Sequence, residues 1–371
     1  MGEQTAKAPG LNRAKTYQLV LFPLNNGATN VYYVLVLSYI ATFGSKVLAL
    51  SMIFASVMVT GMRLFDAITD PIIGALMDRT NGKFGKFRPF MVIGNLIMAV
   101  SILVLYCLTP LIPASMEWAR YVAFVALYAI WVIGYTFQTS CTRSGQTVLT
   151  NDPKQRPIFA MCDTVYNIIL MNIVIPVIVT DSLVPKFTLT AEANAAEITS
   201  LVAQNPALAG IVEKSGGSLS AFYNPGLFTT MQLMFGGLSA VFAVCAIIAL
   251  WRKDRPKYFG LGTTQKVGVK DYVDTLAHNR AIQMLVVSAS TDKLFMSTMS
   301  NSTVMICLFG IIFGNYAAFS SYSQITSIPI ALISILLMNK IARQMGQKAS
   351  MMAGTYGGII GSIIITLFLV F

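Results

Sequence analysis

Charged residues are scarce in this chain of 371 residues. Asp, Glu, Lys and Arg together make up 11% of it, whereas hydrophobic residues make up 55% and the mean hydropathy is +0.67. A soluble globule of this size needs far more charge to cover its surface. The composition therefore excludes an ordinary soluble fold and predicts that lipid is the solvent for most of the chain.

Histidine is almost absent, and the cysteines form no metal-ligand pattern. The single histidine, His278, lies in a polar segment, so no His-based metal site or catalytic triad can be assembled. The five cysteines lack CxxC spacing and fall in apolar runs, which is typical of small buried residues. We expect no catalytic residues, no enzyme activity, no cofactor and no metal beyond a possible Na⁺.

Long apolar runs are what the sequence has in abundance. About 20 apolar residues in helical conformation cross the hydrocarbon core, and on that measure we predict an all-α integral membrane protein with nine spans. Their approximate positions are 17–41, 47–77, 89–110, 119–141, 157–180, 227–250, 281–313, 317–338 and 349–371.

The distribution of Lys and Arg predicts the orientation. With the N-terminus in the cytoplasm, 20 of the 26 Lys and Arg residues fall in cytoplasmic segments, four in external segments and two within spans, as the positive-inside rule requires. The net charge of +11 is thus explained without nucleic acid. We expect a multi-pass protein of the cell membrane that contacts lipid and has no obligate protein partner.

Two long connections divide the chain. The basic segment 251–280 follows six spans, so we predict an N-terminal six-helix bundle over 1–250, a cytoplasmic linker over 251–280 and a partial C-terminal bundle of about three helices over 281–371. The external loop 181–226 is mostly polar. We expect it to contain a short helix capped by Thr190 with Glu192 in its first turn.

Three charged side chains share one face of the second span. At 100° per residue Arg63, Asp66 and Asp70 fall within an arc of about 60°. Each would cost about 2.5–3.5 kcal/mol at mid-membrane if unpaired, so this face is expected to look into a polar cavity. Two carboxylates one turn apart can ligate a small cation or share a proton. The alternative is a static ion pair of Arg63 with one carboxylate.

The segment around these charges resembles the helix-two signature of the glycoside-pentoside-hexuronide cation symporters, the melibiose permease-like group of the major facilitator superfamily. The resemblance implies a twelve-helix fold, of which nine helices are present here, and coupling of Na⁺, Li⁺ or H⁺ to sugar uptake. The residues that carry it are Asp66, Asp70-Pro71, Gly74, Asp78-Arg79, Gly85-Lys86-Phe87-Arg88-Pro89, Gly134-Tyr135-Thr136 and His278-Asn279-Arg280.

The resemblance also implies roles for individual residues. Asp66 and Asp70 match the cation-binding carboxylates, Thr136 matches a hydroxyl ligand, and Thr69 replaces an Asn beside the second carboxylate. The sugar site departs from melibiose permease, because Asn30 and Thr139 stand where that protein has acidic residues, and Thr164 stands where it has an Arg. We therefore do not transfer the galactoside specificity to this chain.

Other polar residues inside the spans are candidates for binding the solute. Amides and hydroxyls can bond sugar hydroxyls, and aromatic rings can stack on a sugar; simple interhelical hydrogen bonds are the alternative. The candidates are Asn26, Asn30, Tyr33, Tyr135, Gln138, Thr139, Asp292 and Lys293. Asp163, in the fifth span, is expected to reach interfacial water or to pair with Arg143 or Arg156.

A set of charged residues near the cytoplasmic face is typical of a gate. Charged pairs that form in one state and break in the other provide the bistable contact that alternating access requires. The gating candidates are Arg63, Asp78, Arg79, Arg88 and Arg143.

Taken together, these patterns predict a Na⁺- or H⁺-coupled symporter of a sugar or glycoside that works by alternating access. One alternative keeps the fold but carries a non-sugar amphipathic solute. Another is a non-transporting membrane receptor with the same fold.

Overall fold

The computed structural model describes residues 12–80, 82–205, 208–255, 258, 274–275, 277–299 and 316–370. Helices dominate this part of the chain. In chain order they are α1 (Thr16–Leu21), α2 (Leu24–Leu37), α3 (Ile40–Lys46), α4 (Met52–Arg79), α5 (Arg88–Cys107), α6 (Glu117–Leu149), α7 (Arg156–Ile169), α8 (Val184–Phe187), α9 (Ala191–Gln204), α10 (Leu208–Lys214), α11 (Pro225–Leu250), α12 (Arg280–Met299), α13 (Tyr316–Met345) and α14 (Gln347–Val370).

Four helical stretches among the described residues are long and apolar enough to cross a membrane by length and composition. They are Met52–Arg79, Arg88–Leu111, Ala114–Leu149 and Pro225–Leu250. Their outer faces are rich in exposed Leu, Ile and Val, the surface that lipid covers. The prediction of an all-α integral membrane protein is confirmed.

The first predicted span is not one continuous helix. Pro23 has no N–H and closes the turn between α1 and α2, where the N–H groups of Asn25 and Asn26 bond to the carbonyls of Phe22 and Pro23, three residues back. A second break precedes Ile40, where α3 begins. The predicted span 17–41 is thus divided by two turns, which a hydropathy pattern does not register.

The fifth span is longer than predicted and partly π-helical. After α7 the chain continues through the π-helical segments Leu170–Val174 and Val177–Leu183 and then α8. Pro176 lies between the two π-helical segments, where its missing N–H favours a change in hydrogen-bond register. The helical path thus extends to Phe187, beyond the predicted end at 180.

The segment 181–226, which was predicted to be an external loop, contains the predicted helix. α9 begins after Thr190 and carries Glu192 in its first turn, but the Thr190 side chain makes no capping hydrogen bond, so that detail of the prediction was wrong. A two-stranded antiparallel ribbon pairs β1 (Leu189–Thr190) with β2 (Ser218–Leu219). The buried leucines of this ribbon, of α9 and of α10 form a small core of their own.

Contacts divide the chain into two compact units, Met1–Leu261 and Gly262–Phe371. In the first unit α5 packs between α6 and α11, α4 packs on α6, and α2 contacts α6, α7 and α11. In the second unit α13 and α14 pack on each other around a turn at Gly346, whose φ of 92° suits glycine. Most of the predicted linker 251–280 lies outside the described residues, and the predicted domain limits stay a prediction.

Helices α5 and α6 approach each other closely at Gly94 and Gly134. A Cβ at Gly134 would come within 2.9 Å of the carbonyl oxygen of Gly94, and a Cβ at Gly94 would come equally close to that of Gly134. Small residues at such a crossing let two backbones approach, as is common between membrane helices. Thr136 lies two residues beyond Gly134 on α6, and its hydroxyl reaches Asp66 on the acidic face of α4.

Candidate cation and solute site

Asp66 of α4 is held by hydroxyl groups from two helices. The Oγ1 of Thr136 on α6 donates to Oδ1 of Asp66 at 2.9 Å. The hydroxyl of Thr69 donates to the main-chain oxygen of Asp66 at 3.0 Å and lies 3.3 Å from that of Thr136. Both threonines are buried, so the structure brings three of the four predicted cation-site residues together.

Asp70, the fourth, is exposed one turn further along α4 and lines a cleft. The cleft has a volume of about 250 Å³ and is walled by α4, α6 and the start of α5. Thr139 and Arg143 of α6 also line it, and the charge of Arg143 acts on the Asp70 carboxylate. The cleft residues are Asp70, Gly74, Met77, Asp78, Phe87, Thr139, Ser140, Arg143 and Ser144.

Arg63 contacts an aromatic ring and does not form the static ion pair considered above in the described part of the chain. Its guanidinium lies 5.0 Å from the ring centroid of Tyr33 on α2. Within the described part of the chain it forms no salt bridge with Asp66 or Asp70, although the Asp66 charge acts on it. A cation over an aromatic face is stabilised by the ring quadrupole, and the two carboxylates stay free of a permanent cationic partner.

Aromatic rings line the neighbouring part of the site. The rings of Tyr33 and Tyr135 lie 6.1 Å apart, and Tyr135 stacks at 5.3 Å on Trp131. Trp131 is buried and both tyrosines are half-buried. The predicted candidates Tyr33 and Tyr135 are thus adjacent, and together they connect α2 to α6 beside Arg63.

The remaining solute candidates of α2 are bonded to the fifth span. Nδ2 of Asn26 donates to Oδ1 of Asp163 at 2.7 Å, and Nδ2 of Asn30 donates to Oδ1 of Asn167. The expectation that Asp163 pairs with Arg143 or Arg156 was wrong; among the described residues its partner is Asn26.

Gln138 and Thr139 of α6 take different positions. Gln138 is fully buried and donates to Oδ1 of Asn25 at 2.8 Å, a contact between α2 and α6. The hydroxyl of Thr139 donates to the main-chain oxygen of Tyr135 in its own helix while the residue lines the Asp70 cleft. In this structure Gln138 therefore acts in helix packing, and Thr139 borders the cleft.

The candidates Asp292 and Lys293 belong to the second unit. The backbone of α12 passes through both positions as helix, and their side chains lie outside the described residues.

The gating candidates at the end of α4 form ion pairs within the first unit. Nζ of Lys86 lies 2.7 Å from Oδ1 of the exposed Asp78. Nε of Arg88 lies 3.3 Å from Oδ2 of Asp254, and its guanidinium lies over the ring of Trp251 at 4.7 Å. Arg79 is exposed at the last position of α4.

Asp254 is the residue that the sequence reasoning missed. Its fully buried carboxylate accepts the N–H groups of Lys86, Phe87 and Arg88 at 2.8–3.1 Å, just where α5 begins. Gly85 has a φ of 95°, and a Cβ there would collide with this carboxylate. The one signal in the sequence was a lone acidic residue within the basic segment WRKDRPK that follows the sixth span.

The fold and the site define a class of protein: a multi-pass helical membrane protein in which two carboxylates of one membrane helix, Asp66 and Asp70, have no salt-bridge partner among the described residues. A family profile described as MFS/sugar transport protein matches residues 22–370, and the chain belongs to this family. The resemblance to cation-coupled sugar symporters of the major facilitator superfamily is confirmed at this level. No cluster of three or more His, Cys, Asp or Glu side chains suited to a metal ion occurs among the residues that the structure covers.

Several curated relatives are symporters by name. The chain is 34% identical over 131 residues to the uncharacterized symporter YnaJ of Bacillus subtilis (strain 168), which covers 33% of this chain and 27% of the relative. It is 30% identical over 138 residues to the inner membrane symporter YicJ of Escherichia coli (strain K12), an alignment that covers 36% of this chain and 28% of the relative. It is 33% identical over 119 residues to the putative glycoside/cation symporter YagG of the same organism, and this alignment covers 32% of this chain and 25% of the relative. Each alignment thus spans less than a third of the relative.

Proposed function

We propose that this chain belongs to a secondary active transporter that couples Na⁺ or H⁺ to the uptake of a sugar or glycoside by alternating access. The observation that carries the proposal is the pair Asp66 and Asp70, two carboxylates in one membrane-spanning helix without a salt-bridge partner in the described part of the chain. The glycoside/cation symporter among the relatives supports a sugar or glycoside as the solute.

The oxygen atoms around Asp66 suit a small hard cation. The carboxylate and the hydroxyls of Thr136 and Thr69 converge from two helices, and oxygen ligands of this kind are those that hard cations prefer. Asp70 opens onto the adjacent cleft, where it is available to a cation or a proton. Binding of the cation neutralises the site and favours solute entry, and by linkage the solute tightens cation binding equally.

The ion pairs at the end of α4 support a role in gating. The Asp78–Lys86 pair is exposed on its acidic side, whereas the Arg88–Asp254 pair is buried, so the first is the pair that opens at small cost and the second keeps the loop in shape. In this proposal the N-terminus is cytoplasmic, membrane lipid surrounds the helices, and neither a cofactor, chemical conversion of the solute nor an obligate protein partner takes part.

The proposal is tested by uptake of labelled sugars. Cells expressing the complete gene are given a panel of glycosides, pentosides and hexuronides with and without imposed Na⁺ or H⁺ gradients. We expect accumulation that follows one gradient, is abolished by Asp70→Asn and is weakened at least about tenfold by Thr136→Val. The first variant removes the negative charge that compensates the cation, and the second removes a hydroxyl oxygen beside Asp66.

The controls are matched in chemistry. Thr136→Ser keeps the hydroxyl and should retain coupling. Asp181→Asn removes an exposed carboxylate at the far end of the fifth span and should leave uptake unchanged. Gradient-driven uptake that persists undiminished in Asp70→Asn contradicts the proposed cation site, and no uptake of any sugar under either gradient contradicts the sugar symporter as a whole.

A further inference from the structure

A ladder of polar pairs joins α2 to α7 inside the first unit. Asn26 bonds to Asp163 and, one turn further along both helices, Asn30 bonds to Asn167. The same offset of 137 residues separates the partners in both pairs, so the two helices run side by side in register. All four residues are half-buried, so part of each side chain stays accessible.

This ladder lies on the same face of α2 as the aromatic part of the site. At 100° per residue, Asn26, Asn30 and Tyr33 fall within an arc of about 60°. Tyr33 contacts Arg63 of α4 and Tyr135 of α6. The face therefore runs from the polar pairs at α7 to the aromatic rings that border the cation site.

Asp163 of α7 has one carboxylate oxygen without a hydrogen-bond partner in the described part of the chain. Its Oδ1 accepts from Asn26, while Oδ2 has no hydrogen-bond or salt-bridge partner among the residues described. A carboxylate within a membrane helix is costly unless something binds it. Because Asn26 donates to one oxygen and holds the group in place, the second oxygen is positioned to accept a hydrogen bond from a bound molecule.

We propose that Asp163 is the hydroxyl-binding carboxylate of the solute site and that it selects neutral sugars or glycosides over sugar acids. The inference rests on the proposed sugar symport and places an acidic contact with the solute on the fifth span. A sugar hydroxyl donates to Oδ2 of Asp163, and Asn30 and Asn167 bond neighbouring hydroxyls with their amides. A hexuronide carboxylate beside Asp163 meets a like charge and is rejected.

The test compares sugars that differ only in one carboxylate. The purified complete protein, in nanodiscs at saturating Na⁺, is titrated by calorimetry with the para-nitrophenyl β-glucoside and β-glucuronide, and with the corresponding galactoside and galacturonide. We expect the native protein to bind the neutral member of a pair about tenfold more tightly. Asp163→Asn should lower the affinity for the neutral sugar about tenfold. The affinity for the sugar acid should stay the same or rise, so that the preference for the neutral sugar disappears or reverses.

Different results separate this inference from the proposed function. A native protein that prefers the sugar acid overturns the role of Asp163, even if the variant does not fold. An equal change of both affinities in Asp163→Asn, or no change of either, overturns it too, since a purely structural role affects both sugars alike. Asp181→Asn serves as the control and should alter neither affinity. If none of the four sugars binds although the uptake panel shows that another sugar is transported, the inference is overturned and the proposed symport stands. If the uptake panel finds no transported sugar either, both are overturned.

Discussion

Removing the carboxylate of Asp254 should destabilise the protein more than any surface charge would. The carboxylate accepts three backbone N–H groups at the start of α5 and the Nε of Arg88. The first N–H groups of a helix lack intrahelical partners, and the helix dipole favours a negative charge beside them. Asp254→Ala leaves those donors and the cation without their acceptor.

The magnitude follows from the burial of the pair. The Arg88 side chain is 14% exposed and that of Asp254 is 0% exposed, so the change leaves a largely buried charge unpaired, which costs about 3–5 kcal/mol. Loss of the helix cap alone costs about 0.5–2 kcal/mol, and the two effects share the same atoms and do not add. We expect a loss of about 3–5 kcal/mol in the free energy of unfolding.

The free energy is measured by equilibrium unfolding of the protein in mixed micelles of a mild detergent and SDS. Asp78→Ala is the control, because it breaks the ion pair with Lys86, in which the Asp78 side chain is 65% exposed. Such a surface ion pair contributes about 0–1 kcal/mol to stability. The double variant Asp254→Ala with Arg88→Gln should recover part of the loss, since no buried cation is then left unpaired. If Asp254→Ala costs no more than Asp78→Ala, the reasoning about this buried anchor is refuted.

Two further predictions concern the crossing of α5 and α6 and the loop after α6. Gly134→Ala should destabilise the protein by about 1–3 kcal/mol, because the new Cβ collides with the backbone of Gly94. The control Gly237→Ala, in open space on α11, should be neutral or stabilising by up to about 1 kcal/mol. Both are measured by the same micelle titration, and equal effects of the two variants would contradict the close crossing. The backbone N–H of Lys154, with Arg13, holds the pKa of Asp152 below its usual value. Its stabilising effect is therefore present above the unfolded pKa of about 3.9 and is lost as the pH falls through the folded value. Between pH 6 and pH 3 the thermal unfolding temperature should fall more steeply in the native protein than in Asp152→Asn. Parallel curves of unfolding temperature against pH would contradict a stabilising role of the Asp152 carboxylate.

Properties that depend on local sequence were predictable. Hydropathy over runs of about 20 residues indicates membrane helices wherever they pack, and the shared face of Arg63, Asp66 and Asp70 follows from helix geometry alone. The same reasoning anticipated the helix after Thr190 in the external loop. It missed the turn at Pro23 and the extension of the fifth span to Phe187, because hydropathy averaged over a span is blind to a local change of hydrogen-bond register.

The partners of the polar groups were decided by tertiary structure. Asp254 and Arg88 are separated by 166 residues, and no periodicity in either segment connects them. The same holds for Asn26 with Asp163, and for Arg63, which lies over Tyr33 instead of pairing with a carboxylate. Helix packing also turned Gln138 inward, where it bonds to another helix. The physical reason is that a helix determines which side chains share its face, whereas the neighbour that each face meets depends on how all the helices pack together.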